Sequence, residues 1–390
     1  ISGRVTGVQT CALPIFDNEM GKFDEFNPRF VMEQKHVKNI IKILADNEPY
    51  SISAKKIADY LQISEKDILN AINLLKNVSA IKENDFGLAL NFPFFTTIDC
   101  KLIKKIVIKS LDESKNFWFT TIQLFSQKLR CLYPNIDEKT SLYHILCGKV
   151  FDGSIFNYLE KRHLLKQFYP KNNERDFMII GYENSNYCNK FNSDLFCSFN
   201  HARSESNSLS SFGNAHGNRF DFFRYFKLRE KNGLYGKFWN IDKYLKKYSN
   251  QEITLGSLEI IKQINHSLDF SKNDFYLTLK NFDYINDNDE IIVPIFDDYI
   301  EKCSEFSEFV FEKIGDFISK SLSEIRDAVV NSKISCVKHS VNIDELCNEL
   351  WHIYFGLLNK FLIDKKIVAS PQHLFHQGKY LKCIYLSSKD

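Results

Sequence analysis

Six short stretches of this chain recur, in the same order, 201 to 208 residues downstream. Ile63-Ser64-Glu65-Lys66-Asp67 returns as Phe270-Ser271-Lys272-Asn273-Asp274, and Asn91-Phe92-Pro93-Phe94-Phe95 as Ile292-Val293-Pro294-Ile295-Phe296. Asn135-Ile136-Asp137-Glu138 returns as Asn342-Ile343-Asp344-Glu345. Tyr143-His144 with Gly148 returns as Trp351-His352 with Gly356, Tyr158-Leu159 as Phe361-Leu362, and the strand-like run 177–182 as 380–385. Each match is weak by itself, but six in order point to an internal duplication. The repeat reads as two lobes, 34–184 and 242–388, each of ordinary domain size. Two copies are too few for a solenoid.

Within each copy the periodicity specifies the elements. Apolar groups at Val37, Ile40, Ile41 and Leu44 make the stripe of an amphipathic helix. Pro49 breaks the chain, Ser53 caps a second helix with Ile57, Ala58 and Leu61 inward, and Ser64 caps a third with Ile68, Ala71, Ile72 and Leu75 inward. Asp67, three residues after Ser64, gives a start like a capping box. Two apolar runs, 78–81 and 88–92, flank the turn formers 82–87 and predict a hairpin. In the second copy, 256–264 and 275–279 read as helices, and Tyr284-Ile285 with Ile291-Ile292-Val293 as a hairpin about Asn286-Asp287-Asn288-Asp289.

This order of helices and hairpin resembles the winged helix-turn-helix superfamily over about 60 residues, twice. The expected fold class is mainly α with short β hairpins (α+β), a tandem duplication of a winged-helix-plus-helical lobe. The expected division is winged helix 34–95, helical part 96–184, a basic and Asn/Ser-rich joint 185–241, winged helix 242–296 and helical part 297–390. Ser204 to Ser211 reads as flexible linker on composition. Residues 5–15 resemble the translation of a sequencing adapter, so 1–16 is expected to be non-native, with Met20 or Met32 as native starts.

The resemblance implies double-stranded DNA as a partner, as for a transcriptional regulator or an initiator-type protein, with the third helix in a major groove. Asn70 and Asn73 are candidate base readers, since a carboxamide can bond adenine bidentately. Lys55, Lys56, Lys66 and Lys76 are candidate phosphate contacts, as are Arg219, Arg224 and Arg229 in the basic, aromatic second half of the joint. Charge tempers this reading. Residues 33–95 hold eight lysines and eight acids, and 242–296 hold six lysines and nine acids, whereas 97–241 carry 22 basic residues against 14 acids. A winged helix that holds a protein partner without nucleic acid is the alternative. A ligand sensor or enzyme using a cleft between the lobes is a third.

The repeated Tyr143, His144, Gly148 and Trp351, His352, Gly356 form a motif of unknown role. A symmetric ligand site is one reading. In the other, the aromatic residue fills a core, the histidine satisfies a buried backbone group and the glycine lets helices approach. No metal-ligand spacing, P-loop, dinucleotide fingerprint, nucleophile elbow or His-Glu-x-x-His is present, so no metal, cofactor or catalytic residue is assigned. The chain reads more as a non-enzyme than as an enzyme, the question staying open because enzymes can lack all of these. Cys188, Cys197 and His201 lie near one another without a zinc-type spacing. The nine cysteines left without Cys11 suit reduced thiols in a cytoplasmic protein, and no apolar run approaches the ~20 residues of a membrane span. The abundance of Phe (35) and Tyr (18), with Ile, Lys and Asn, suits an AT-rich bacterial genome, so aromatic content alone does not signal base stacking.

Overall fold

The computed structural model describes residues 8–13, 22–167, 177–204, 207–214, 244, 246–263, 273–371 and 379–387. They are mostly helical with three small sheets. The chain forms two compact units that do not follow its linear halves. One comprises Ile1–Lys115, Ile155–Asp194 and Ile314–Leu357; the other comprises Asn116–Ser154, Leu195–Lys313 and Leu358–Asp390.

The first unit opens with strand β1 (Val8–Leu13), in the adapter-like segment, and helices α1 (Pro28–Glu33), α2 (Val37–Ala45), α3 (Ala54–Leu61) and α4 (Glu65–Asn77). The expected stripes are the buried ones: Val37, Ile40, Ile41 and Leu44 of α2, Ile57 and Ala58 of α3, and Ile68, Ala71, Ile72 and Leu75 of α4 share one core. Both serine caps form. Ser53 accepts from the Lys56 amide at 3.4 Å and Ser64 from the Asp67 amide at 3.2 Å. The hairpin is β2 (Ile81–Asn84) with β3 (Gly87–Leu90), shifted from the expected 78–81 and 88–92. Asn84 sets the shift: its side-chain oxygen accepts from the Phe86 and Gly87 amides at 2.9 and 3.1 Å, closing a tight turn. Val78 instead ends α4. The loop before α3 joins the hairpin through an Ile52–Leu88 bridge and a Tyr50 amide bond to the Leu88 carbonyl at 2.9 Å.

Next come β4 (Phe94–Phe95) and α5 (Thr97–Glu113). The second unit takes α6 (Lys115–Leu132) from Asn116 on, α7 (Glu138–Ser141) and a π-helical stretch, Leu142–Ser154, that kinks at Asp152. The chain returns to the first unit with α8 (Ile155–Lys161), β5 (Met178–Glu183) and α9 (Asn186–Ser193). Strand β5 lies between β1, antiparallel, and β4, parallel.

The second unit then gains β6 (Ser198–Ser204) and β7 (Asn207–Gly213), which correct the linker reading of Ser204–Ser211. Composition misled because Ser and Asn there are buried. Every residue of β7 is buried, with Leu209 and Phe212 fully so, and its backbone pairs on both edges. Helices α10 (Asn250–Gln263) and α11 (Asp274–Asn281) follow, then β8 (Ile295–Phe296). The cap of α11 is Asn273, two residues beyond Ser271, the residue aligned with Ser64. The second hairpin is a single bridge, Ile285 to Ile291. Helix α12 (Tyr299–Asn331) runs 33 residues, α13 (Ser335–Lys338) and α14 (Ile343–Asp364) follow, and β9 (Tyr380–Tyr385) completes a sheet of order β6-β7-β9-β8.

Equivalent details recur in the two units. Phe94 and Phe95 pair in parallel with Gly181 and Tyr182, as Ile295 and Phe296 do with Ile384 and Tyr385. The Gly181 amide donates to the Pro93 carbonyl at 2.9 Å, and the Ile384 amide to the Pro294 carbonyl at 3.0 Å. Phe95 meets Tyr182 at 5.2 Å between ring centroids, and Phe296 meets Tyr385 at 5.4 Å.

Candidate functional site

Because α4 buries one face completely, its other face is outward. Lys66, Asn70 and Asn73 are exposed there, alongside Glu65, Asp67 and Leu69. Lys55 and Lys56 are exposed on the first turn of α3. Lys55 and Lys66 have no ion-pair partner among the described residues, and Lys56 donates to the Ser51 carbonyl at 3.3 Å. Lys76 is different: its ammonium pairs with Glu83 of β2. Tyr60, Leu69 and Phe86 also stand out in solvent, Phe86 being 81% exposed at the hairpin tip.

The second helical module is electrostatically unlike the first. Lys247 pairs with Asp274 at 2.7 Å, Lys280 with Asp289 at 2.9 Å and Lys382 with Asp283 at 3.2 Å. Its hairpin tip carries Asp287, Asp289 and Glu290. Arg219, Arg224 and Arg229 lie outside the described residues.

The repeated motif lines two buried helix faces. In the second unit, the Tyr143 hydroxyl donates to the Phe212 carbonyl at 2.6 Å, and a Cβ on Gly148 would come within 3.3 Å of the Phe212 ring. The His144 ring is edge-on to Tyr143 and Phe296, and the Tyr385 hydroxyl donates to its backbone carbonyl at 3.2 Å. Neither ring nitrogen of His144 has a hydrogen-bond partner among the described residues. Burial, assisted by the Lys149 charge, pushes its pKa down to about 3, so the imidazole is neutral. In the first unit, His352 Nδ1 lies 2.8 Å from the Asn348 carbonyl one turn back, and its ring packs on Phe156 at 5.0 Å. The buried Glu349 accepts from the Tyr182 hydroxyl, with its other oxygen 3.8 Å from His352 Nδ1. Trp351 stacks on Tyr354, and Gly356 is buried. These are the contacts of a packed core.

Two features lay outside the sequence reading. Lys149, on the π-helix, holds its ammonium 4.0 Å from the Tyr385 ring centroid, 4.3 Å from Phe199 and 4.9 Å from Tyr299. Burial lowers its pKa to about 8. The position's only sequence signal is that Leu357 stands 208 residues downstream, where the sequence repeat aligns with it. The second is a thiol pair, Cys100 with Cys188, 88 residues apart and so invisible to spacing rules. Among the described residues no group of three or more His, Cys, Asp or Glu is disposed to hold a metal ion, and no helix is long and apolar enough to cross a membrane. No protein family, no curated protein and no solved structure matches the chain.

Proposed function

We propose that the chain is a duplicated winged-helix protein that binds double-stranded DNA through its first copy. The observation that carries this reading is the uncovered face of α4, with Lys66, Asn70 and Asn73 outward, and Lys55 and Lys56 exposed on α3. A recognition helix needs such a face, with carboxamides for base edges and lysines for phosphates. The second copy is not a DNA reader in this proposal, because Lys247 and Lys280 are engaged by Asp274 and Asp289 and its hairpin tip is acidic. The duplication is supported by the matched strand pairings and by the reciprocal make-up of the two units, each of which takes helices from both halves of the chain.

Few free lysines imply weakly salt-dependent binding. Each neutralised phosphate contributes about −0.9 to the slope of log affinity against log salt. With Lys55, Lys56 and Lys66 as the contacts, the first copy gives a slope of about −3. Fluorescence anisotropy with a random 30-base-pair duplex, titrated from low to physiological salt, reads it directly. Lys66→Ala is expected to reduce the slope by about one. Absence of binding at low salt overturns the reading. The exposed Tyr60, Leu69 and Phe86 favour a second reading, a protein partner on the same module. In that case DNA binding is absent and Phe86→Ser abolishes the association.

A further inference from the structure

Helices α5 and α9 begin side by side in the first unit. Thr96 and Asp99 close a reciprocal capping box on α5, and Ser185 caps α9 by accepting from the Cys188 amide at 3.2 Å. The hydroxyls of Thr97 and Ser185 are 2.7 Å apart. Glu183 accepts from the Thr97 amide at 2.7 Å and from Lys42 at 2.9 Å. In the first turns of these two helices stand Cys100 and Cys188, their sulfurs 3.6 Å apart and both side chains buried.

The surroundings separate the two thiols chemically. The Cys188 sulfur lies 3.7 Å from the Thr97 hydroxyl, within the first turn of α9, where the helix dipole favours an anion. The sulfur–sulfur hydrogen bond with Cys100 is the largest influence lowering the Cys188 pKa, to about 6, ahead of the Ser185 and Thr97 hydroxyls and against burial and the Glu183 charge. Cys100 is pushed far up by the same hydrogen bond and by burial. The other buried thiols differ: burial pushes Cys347 and Cys383 up to about 12, and Cys147 and Cys336 higher still.

We propose that Cys100 and Cys188 form an oxidative modification site, a dithiol converted to a disulfide by small hydroperoxides. The Cys188 thiolate attacks the terminal (hydroxyl) oxygen of the hydroperoxide, and the S–O bond forms as the O–O bond breaks. The departing alkoxide (hydroxide for hydrogen peroxide) takes up a proton equivalent to the one Cys188 released on ionising and leaves as alcohol or water, with Cys188 now a sulfenic acid. The Cys100 sulfur then attacks the Cys188 sulfur. The new S–S bond forms as the S–O bond breaks, and the departing hydroxide takes the Cys100 proton to leave as water. Two thiols and one hydroperoxide thus give one disulfide, one alcohol (water when the oxidant is hydrogen peroxide) and one water. Closing from 3.6 Å to the ~2.05 Å of a disulfide requires an approach of about 1.5 Å. Burial of both sulfurs restricts the oxidant to small molecules.

The full chain is treated with one equivalent of hydrogen peroxide, alkylated, digested without reductant and mapped by mass spectrometry. The expected result is a peptide pair joined through Cys100 and Cys188, removed by dithiothreitol. Cys100→Ser should stop the reaction at a Cys188 sulfenic acid trapped by dimedone, and Cys188→Ser should leave Cys100 a free thiol. Retention of both thiols while the exposed Cys131 is oxidised overturns the proposal, as does a Cys188 sulfenic acid that persists unlinked in the unaltered chain. The map of the unaltered chain decides the matter even where a serine variant fails to fold.

Discussion

His144 and His339 are buried and neutral for one reason, desolvation, yet they contribute differently. His339 uses Nδ1 as an acceptor for the Leu90 amide at 3.1 Å, tying the segment after α13 to the hairpin strand β3. A protonated ring cannot accept that bond. His144 gains nothing comparable, since both its ring nitrogens lack partners among the described residues. Both folded-state pKa values lie below the unfolded value of about 6.5, so unfolding takes up protons as pH falls. The stability these residues permit is fully present above pH ~6.5 and is lost below it, for His144 until about pH 3. Each histidine contributes a slope of up to about 1.4 kcal/mol per pH unit. Urea denaturation is expected to give midpoints that fall steadily from pH 7 to pH 4. His144→Phe should flatten that fall and leave stability at pH 7 equal or higher by about 1 kcal/mol, because a buried polar group without partners is exchanged for a ring among rings. A loss above about 2 kcal/mol would mean the imidazole has a partner, or that the site is overpacked. The repeat marked both His144 and His352 in the sequence, but not that the His352 ring meets the Asn348 carbonyl while the His144 ring meets none among the described residues, because nothing in a Tyr-His or Trp-His pair says which ring meets a carbonyl.

At the scale of elements, what was legible was what local chemistry fixes. The caps Ser53 and Ser64 and the apolar stripes of α2 and α4 follow from side chains a few residues apart. What was not legible depends on partners far away. Strands β6 and β7 consist largely of Ser, Asn and His, and they are strands because β9, 167 to 177 residues later, supplies the other edge of β7. Leu209→Ala, at a fully buried position in that central strand, should cost about 2–5 kcal/mol, whereas a flexible linker would tolerate it without change. The hairpin of β2 and β3 offers a sharper case. A Cβ on Gly87 would sit 2.5 Å from the Ile52 carbonyl oxygen, where the loop before α3 bonds to β3. Gly87→Ala is expected to lose about 1–3 kcal/mol and to speed hydrogen exchange at the Leu88 amide, which donates to that same Ile52 carbonyl. Unchanged exchange there would mean that the hairpin does not depend on the bridge.

For the whole molecule, the sequence repeat and the compact units divide the chain differently. The repeat cuts it once, near the joint, whereas each unit collects segments from both halves. The first unit takes 314–357, and with it the buried Leu350, Trp351 and Tyr354 of α14 and Cys336 of α13. The second takes 116–154, and with it the buried Trp118, Phe125 and Phe151. Linear reasoning has no access to such a division, because each segment carries the same apolar stripe whether it packs with neighbouring segments or with distant ones. The division has a consequence for folding. A fragment of residues 22–194 lacks 314–357 of its own unit, with the buried Leu350, Trp351, Tyr354 and Phe355, and it exposes 116–154, whose partners lie beyond residue 194. Losing several large buried side chains, each contributing about 1.5–3 kcal/mol, exceeds the whole stability of a typical domain, about 5–15 kcal/mol. That fragment alone should therefore retain helical far-UV circular dichroism but lack a near-UV signal and a cooperative urea transition. Co-expression with 195–390 should restore both, because the segments that complete each unit are then supplied in trans. A cooperative transition with native near-UV dichroism from 22–194 alone would instead identify the linear half as the folding unit.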